Sequence, residues 1–159
     1  MPHSATDDET PSQIPSQMPT QIPDPIPGQG LATTAEVLYI TNLLLLPGIA
    51  FGILVWLWWT RRDSAPPLAV AHLGQTISAS LWGGVLLVIV NGLILLLGGY
   101  QGITTWVVLI LYFTTAHATL VLLGVLGLSK AMAGQCWRFP LIGRPLPAEC
   151  PTSGGPQGE

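Results

Sequence analysis

The sequence predicts an all-α membrane protein with three transmembrane helices, and three observations lead to this fold class. Apolar residues make up 49% of the chain and charged residues only 8%, whereas about 25% of the residues of a soluble domain are charged. Three long apolar runs contain no Asp, Glu, Lys or Arg, and each is long enough for a helix that crosses the hydrocarbon core, which takes roughly 20 residues. All 5 basic residues flank these runs or follow the last of them. This arrangement is typical of a membrane protein that crosses the bilayer several times.

The predicted membrane domain covers residues 37–130, with spans at about 37–60, 76–97 and 105–128. The Gly-rich segment 98–102 is a turn by composition. Because this segment is short, we expect the third helix to return antiparallel to the second.

Residues 1–36 are predicted to form a disordered tail rich in Pro and Gln. A four-residue repeat that begins with Pro runs through residues 11–30. Proline removes backbone donors and fixes φ, so neither a helix nor a central strand is expected there. The tail carries acids, Glu36 being the last of them, and no basic residue. We interpret it as a solvated spacer, with a ligand for an aromatic-lined groove as the alternative.

The first predicted span contains several residues that interrupt a plain apolar helix. Pro47 lies near its middle and is expected to kink or locally unwind it. Gly48 and Gly52 form a GxxxG pattern that allows another helix to approach closely, either within the chain or in a dimer. Asn42 lies about one turn earlier and supplies a polar group inside the span.

Beyond the first span, the stretch 68–80 has a mildly polar side that includes His72, and we expect it to lie at the membrane interface. His72 is therefore predicted to be interfacial. In the second span the amide of Asn91 is expected to hydrogen-bond to a neighbouring helix, since lipid offers it no partner.

His117 lies near the midpoint of the third predicted span. An ionisable side chain is costly at that depth, so it is a functional hypothesis by default. A structural hydrogen bond to Asn42 or Asn91 is the leading interpretation. Contact with a partner, haem ligation and proton relay are the alternatives. A second haem ligand from His72 would be several helical turns away, roughly 15 Å or more.

The basic residues predict the orientation, because cytoplasmic loops carry an excess of Lys and Arg. The turn after the first span has two and the segment after the third span has three, while the leader and the second turn have none. The N-terminus is therefore predicted outside, and residues 131–159 form a cytoplasmic tail that is disordered beyond about residue 145. Basic side chains next to the membrane are expected to meet anionic lipid headgroups; these are Arg61, Arg62, Lys130 and Arg138.

The sequence holds no pattern of a catalytic, metal or nucleotide site. Cys136 and Cys150 are too far apart for a CxxC motif and are interpreted as free thiols without a metal. Asp63 is the one acid between residues 37 and 144, so acid–base catalysis by paired carboxylates is not expected. No basic patch is present for nucleic acid. We predict no cofactor and no enzymatic activity.

Two stretches resemble an uncharacterised bacterial membrane family, domain-of-unknown-function family 4870. The first runs from Trp58-Trp-Thr-Arg-Arg-Asp63 through Pro67 to Ser80, and His72 matches the His usual in that family after its first turn. The second is Ala131-Met-Ala-Gly-Gln-Cys-Trp-Arg-Phe-Pro-Leu-Ile-Gly143, similar to the family's ending. The resemblance covers about residues 37–144. It implies a compact helical membrane domain, distantly similar in pattern to the inner-envelope component of chloroplast protein import known as the Tic-20 type.

These observations together predict a protein of the bacterial inner membrane that crosses it several times. We expect a non-catalytic accessory or assembly subunit of a larger complex, whose partners are the lipid bilayer and other membrane subunits that contact its helix faces. Copies of the same chain are a further partner class. An oligomeric translocation or transport component is the first alternative. A haem-binding or proton-relay subunit that uses His117 is the second.

Overall fold

The computed structural model describes residues 26–140 and 142–150, so most of the predicted Pro-rich tail lies outside the described residues. The described chain contains four α-helices and no strand, which confirms the predicted all-α class. The helices are α1 (Gln29–Leu44), α2 (Ile49–Arg61), α3 (Pro67–Leu96) and α4 (Ile103–Met132), and a short 3-10 turn (Gly99–Gln101) joins the last two.

Two of these helices, α3 and α4, are long and apolar enough to cross a membrane. Each has 30 residues, which corresponds to about 45 Å of helix at 1.5 Å per residue. They pack antiparallel, and Gly83 of α3 lies against the side chain of Leu120 of α4. Residues 97–102 close this pair, and we call this the turn end of the bundle.

The predicted first span, residues 37–60, is not one helix. The chain leaves α1 after Leu44 and enters α2 at Ile49. The break falls at the predicted proline because Pro47 has no N–H to donate and because Gly48 adopts a left-handed φ of 87°, which a residue with a Cβ rarely takes up. Instead of a kinked span, α1 and α2 form a helical hairpin.

This hairpin brings both ends of the described chain to the same end of the bundle. The Gln29 side chain at the start of α1 donates a hydrogen bond to the Met132 carbonyl at the end of α4, at 2.5 Å. Gly28 lies against Pro66, just before α3. We call this end the base. The predicted placement of the two ends on opposite sides of the domain is not found, because the chain reverses at residues 45–48.

The packed core lies in the base half of the molecule. Its largest fully buried apolar side chains are Tyr39, Leu54, Leu73 and Phe139. Toward the turn end, α3 and α4 are mostly exposed.

The described residues after α4, 133–140 and 142–150, fold back onto this core and form the strap. Phe139 packs against Tyr39 with ring centroids 6.0 Å apart. Cys150 belongs to a second buried cluster with Leu68, and the partly buried side chain of Leu146 packs against this cluster. The predicted disorder beyond about residue 145 is therefore not found for residues 146–150, since apolar contacts hold them against α3.

Candidate functional site

The most unusual feature of the base is a buried carboxylate and imidazole. Glu36 of α1 and His72 of α3 are both 0% exposed. A Glu36 carboxylate oxygen lies 2.7 Å from Nδ1 of His72. On the other side of the ring, Nε2 of His72 lies 3.0 Å from the Gln135 carbonyl oxygen. The pair therefore joins α1, α3 and the strap.

The hydrogen-bond partners restrict where the protons lie. A carbonyl oxygen only accepts, so Nε2 of His72 carries the hydrogen that bonds to Gln135. The proton between Nδ1 and Glu36 belongs either to the imidazole or to the carboxyl group. The pair has zero net charge in both forms, so the proton can move between the two groups without leaving a net charge in the core.

Burial raises the pKa of Glu36 above its ordinary value, and the hydrogen bond and charge of His72 act against this rise. The Tyr39 hydroxyl donates to the Leu120 carbonyl at 3.1 Å, so it is not the donor for Glu36. The second carboxylate oxygen of Glu36, Oε2, is buried without a partner among the described residues.

Two glycines of α4 make room for the α1 side chains. A Cβ at Gly127 would lie 2.5 Å from Oε2 of Glu36, and a Cβ at Gly124 would lie 2.8 Å from the Tyr39 ring. Both distances are far below an ordinary van der Waals contact of about 3.5 Å. Their absent side chains therefore allow α1 to pack directly on α4 at the level of the buried pair.

A second group of hydrogen bonds fixes the strap to α3. The amide of Gln75 donates to the Arg144 carbonyl at 2.7 Å and accepts from the Arg144 N–H at 3.0 Å. The hydroxyl of Ser78 donates to the Ile142 carbonyl at 2.9 Å. Since Gln75 and Ser78 follow His72 on one side of α3, all three bind backbone groups of the strap.

The strap is also closed covalently. Cys136 and Cys150 form a disulfide, which corrects the sequence interpretation of two free thiols. Spacing along the chain could not reveal this pair, because the strap has to fold back before the two side chains meet.

The structure places His72 and Glu36 differently from the sequence predictions. His72 is not interfacial but fully enclosed, because α1 and the strap cover the polar side of α3. The two stretches that carry the family resemblance contact each other through His72 and Ser78. The sequence predicts Glu36 to be part of the tail, whereas in the structure it is the partner of Nδ1 of His72. Its spacing of four from Ala32 and three from Tyr39, which are both buried, is the signal that places it on an inward helix face.

The candidate residues of the first predicted span all lie around the hairpin turn. The side chain of Asn42 accepts a hydrogen bond from the Gly48 N–H at 3.0 Å. Pro47 and Gly48 form the break itself. A Cβ at Gly48 or Gly52 would have no heavy atom within 4 Å, so the GxxxG pattern makes no close helix contact within the described chain.

Asn91 and His117 lie in the exposed half of the bundle. The Asn91 amide donates to the Leu87 carbonyl of its own helix at 2.8 Å and accepts from the Tyr100 hydroxyl. The predicted bond from Asn91 to a neighbouring helix is thus replaced by one to the turn. His117 stacks on Phe113 with ring centroids 5.2 Å apart, and in the described chain it has no hydrogen bond to Asn42 or Asn91.

The basic residues all lie at the base end. Arg61 closes α2, and Arg62 forms an exposed ion pair with Asp63 at 3.4 Å. Lys130 donates to the Gln135 side chain at 3.0 Å. Arg138 donates to the Gly143 carbonyl at 3.1 Å. The guanidinium of Arg144 lies 5.6 Å from the centre of the Trp58 ring, a cation–π contact that holds α2 against the strap.

The geometry defines a class of protein: an α-helical bundle with a packed polar base and two long apolar helices that extend beyond it. Among residues 26–140 and 142–150, no group of three or more His, Cys, Asp and Glu side chains is arranged to hold a metal ion. Comparison with protein-family models, with curated proteins and with solved structures finds no match to this chain. The resemblance to the uncharacterised bacterial family therefore stays a prediction.

Proposed function

We propose that this chain is an integral membrane protein in which α3 and α4 cross the bilayer while the base forms a packed domain at one membrane surface. The observation that carries this proposal is the change in burial along α3. The first half of the helix is enclosed by protein, whereas large apolar side chains are exposed from Leu81 onward. Exposing such an apolar surface to water is unfavourable, whereas contact with lipid acyl chains carries no such cost.

The length of the two helices fits this arrangement. A hydrocarbon core of about 30 Å takes roughly 20 residues of helix. Measured from the turn end, it would reach along α3 to about Ile77 and along α4 to about Leu122. His72 then lies about 8 Å beyond the hydrocarbon on the base side. The buried polar pair thus belongs to the surface domain, where a carboxylate is less costly.

Aromatic residues support the same two boundaries. Trp106 and Tyr100 pack together at the turn end with ring centroids 5.5 Å apart. Trp56 and Trp59 of α2 are exposed near the base. Amphipathic aromatic rings are enriched at the two membrane interfaces. The two aromatic groups therefore lie at the depths where the proposal places these interfaces.

We place the base end in the cytoplasm of a bacterial cell, since all 5 basic residues belong to segments at that end. The Cys136–Cys150 disulfide is the observation that favours the opposite orientation, because stable disulfides are typical of oxidising compartments. The excess of basic residues decides our assignment, since it rests on two separate short segments and on a turn end that carries none.

We further propose a non-catalytic role as an accessory or assembly subunit whose helix faces bind other membrane proteins. His117 supports this role. It lies on α4 inside the proposed hydrocarbon layer, about 8 Å from the base-side edge, and is only partly covered by its own chain. Thr115 and Thr119 are exposed nearby. Polar side chains at this depth are favoured when a neighbouring helix supplies hydrogen-bond partners.

The test is affinity purification in mild detergent, followed by mass spectrometry and measurement of subunit stoichiometry. We expect a membrane subunit at a fixed ratio to wild-type chain. His117→Gln keeps a donor and an acceptor and should retain this subunit. His117→Leu should release part of it without changing the amount of chain in the membrane. The proposal is wrong if no subunit is found at a fixed ratio, or if both variants retain it equally.

A further inference from the structure

We infer that the tip of the α1–α2 hairpin, residues 44–49, inserts into the acyl-chain region of the leaflet on the base side and returns without crossing the bilayer. The partner of this surface is lipid. The inference rests on the proposed membrane location of α3 and α4. It assigns a half-membrane hairpin where the sequence predicts a full span.

Most side chains of the tip are apolar and point away from the rest of the protein. Leu45 is 73% exposed and Ile49 is 64% exposed, and Leu44 and Leu46 are exposed as well. No charged residue occurs between Glu36 and Arg61. A loop that faced water would ordinarily be polar, so the composition of this turn is unusual for an aqueous surface.

Most backbone N–H groups of the tip have a hydrogen-bond partner within the chain, as a segment in hydrocarbon requires. The N–H groups of Leu45 and Leu46 both donate to the Thr41 carbonyl at 2.9 Å. Pro47 has no N–H, and the N–H of Gly48 donates to the Asn42 side chain. The amide of Asn42 thus replaces the water that a solvated turn would use.

Further bonds of the same kind follow at the start of α2. The Ala50 N–H donates to the Leu46 carbonyl at 3.2 Å, and the Gly52 N–H donates to the Gly48 carbonyl at 2.8 Å. The reversal of the chain therefore leaves few donors that need water.

The depth of the tip follows from the packing of α1 on α4. The Tyr39 hydroxyl reaches the Leu120 carbonyl, which already lies inside the proposed hydrocarbon layer. Leu45 lies six residues after Tyr39, so its backbone is about 9 Å deeper in the membrane than the backbone of Tyr39. The tip is thus level with the exposed apolar surfaces of α3 and α4, and its surface continues theirs. Trp56 and Trp59 lie on the returning helix between the tip and Arg61, as expected for side chains at the headgroup boundary.

The hairpin is too short to cross. α1 has 16 residues and α2 has 13, or about 24 Å and 20 Å of helix, and each begins or ends at the base. The tip therefore ends inside the leaflet on the base side rather than at the far side of the bilayer.

The experiment places a fluorophore at single positions of the full chain, with the native disulfide left oxidised so that one introduced thiol is reactive. The probe positions are Leu45→Cys and Ile49→Cys at the tip, Val88→Cys in α3 and Ser64→Cys in the exposed loop after α2. The proteins are reconstituted into vesicles of phosphatidylcholine and phosphatidylglycerol. Quenching is measured with nitroxides on the acyl chains and with aqueous iodide.

We expect acyl-chain nitroxides to quench the tip probes severalfold more than the Ser64 probe, and iodide to show the reverse order. Two tip positions are used so that failure of one variant to fold leaves the other. If iodide reaches the tip as it reaches Ser64, the tip lies in water. If neither quencher reaches it, protein covers the tip. Both outcomes overturn the inference.

The Val88 probe separates this inference from the proposed membrane location. Val88 is 70% exposed on α3 and lies in the proposed hydrocarbon layer. Quenching of Val88 by acyl-chain nitroxides, combined with iodide quenching at the tip, would leave the two spanning helices in place and refute the inserted hairpin alone. Iodide quenching at Val88 would refute both.

Discussion

The carboxylate of Glu36 lies 2.7 Å from Nδ1 of His72, and both side chains are completely buried although 36 residues separate them. This contact connects the first helix to the third. Because Nε2 of His72 also binds the Gln135 carbonyl, it includes the strap as well. One pair of ionisable groups thus connects three segments that are distant along the chain.

The first prediction concerns the coupling between these two groups. Removing one partner leaves a buried polar group uncompensated, which costs about 3–5 kcal/mol for a buried ion pair. We expect Glu36→Ala and His72→Ala each to lower the free energy of unfolding by an amount of this order. The double substitution should cost clearly less than their sum. Equilibrium unfolding in mixed micelles measures the free energy of unfolding of the wild type and all three variants.

The matched control is the exposed pair of Arg62 and Asp63. Exposed ion pairs contribute about 0–1 kcal/mol, so Arg62→Ala and Asp63→Ala should have small and additive effects. Additive effects of Glu36→Ala and His72→Ala would contradict the buried pair.

The second prediction concerns pH. Burial raises the pKa of Glu36 above its ordinary value of 4.5, so above that pH the folded chain holds this proton more tightly than the unfolded chain does. The unfolded state then binds fewer protons, and the stabilisation falls as pH rises through the raised pKa. The stability of wild-type protein relative to Glu36→Gln should therefore decrease with increasing pH. A difference that is constant or that grows with pH would show that the pKa of Glu36 is not raised.

The third prediction tests the close approach of α1 and α4. A Cβ at Gly127 would lie 2.5 Å from the Glu36 carboxylate, so Gly127→Ala should displace the pair and destabilise the fold by about 1–3 kcal/mol. Gly84→Ala on α3 is the control, since a Cβ there meets nothing within 4 Å, and it should change stability little or raise it slightly. Shortening the opposing side chain with Glu36→Ala should make Gly127→Ala less harmful. Equal effects at the two glycines would argue against the close packing.

The fourth prediction concerns topology. Ser64 lies in the loop at the base and Gln101 at the turn end, so thiols at these positions should face opposite compartments. With the base in the cytoplasm, an impermeant maleimide should label Gln101→Cys in intact cells and Ser64→Cys only after permeabilisation. The reverse pattern would place the base and its disulfide on the oxidising side. Labelling of both from the same side would contradict two spanning helices.

Several properties followed from the sequence alone because they depend on neighbouring residues. Long uncharged runs are sufficient to form α3 and α4, and their helical character was predicted with boundaries close to those observed at the turn end. The position of the break at Pro47 was also readable, since the missing N–H and the adjacent glycine act locally. The direction that the chain takes after the break could not be predicted from the sequence. A kinked span and a reversed hairpin share the same local signals.

Only the tertiary structure decided which polar residues meet. Glu36 resembles the last acid of a solvated tail until α1 packs on Gly127, and His72 resembles an interfacial residue until the strap covers it. Cys136 and Cys150 are two isolated thiols along the chain and a disulfide once the strap closes. The physical reason is the same in each case. Burial of a charge or closure of a loop is favourable only when the distant partner is already in position, and that position is a property of the packed helices rather than of any segment of the sequence.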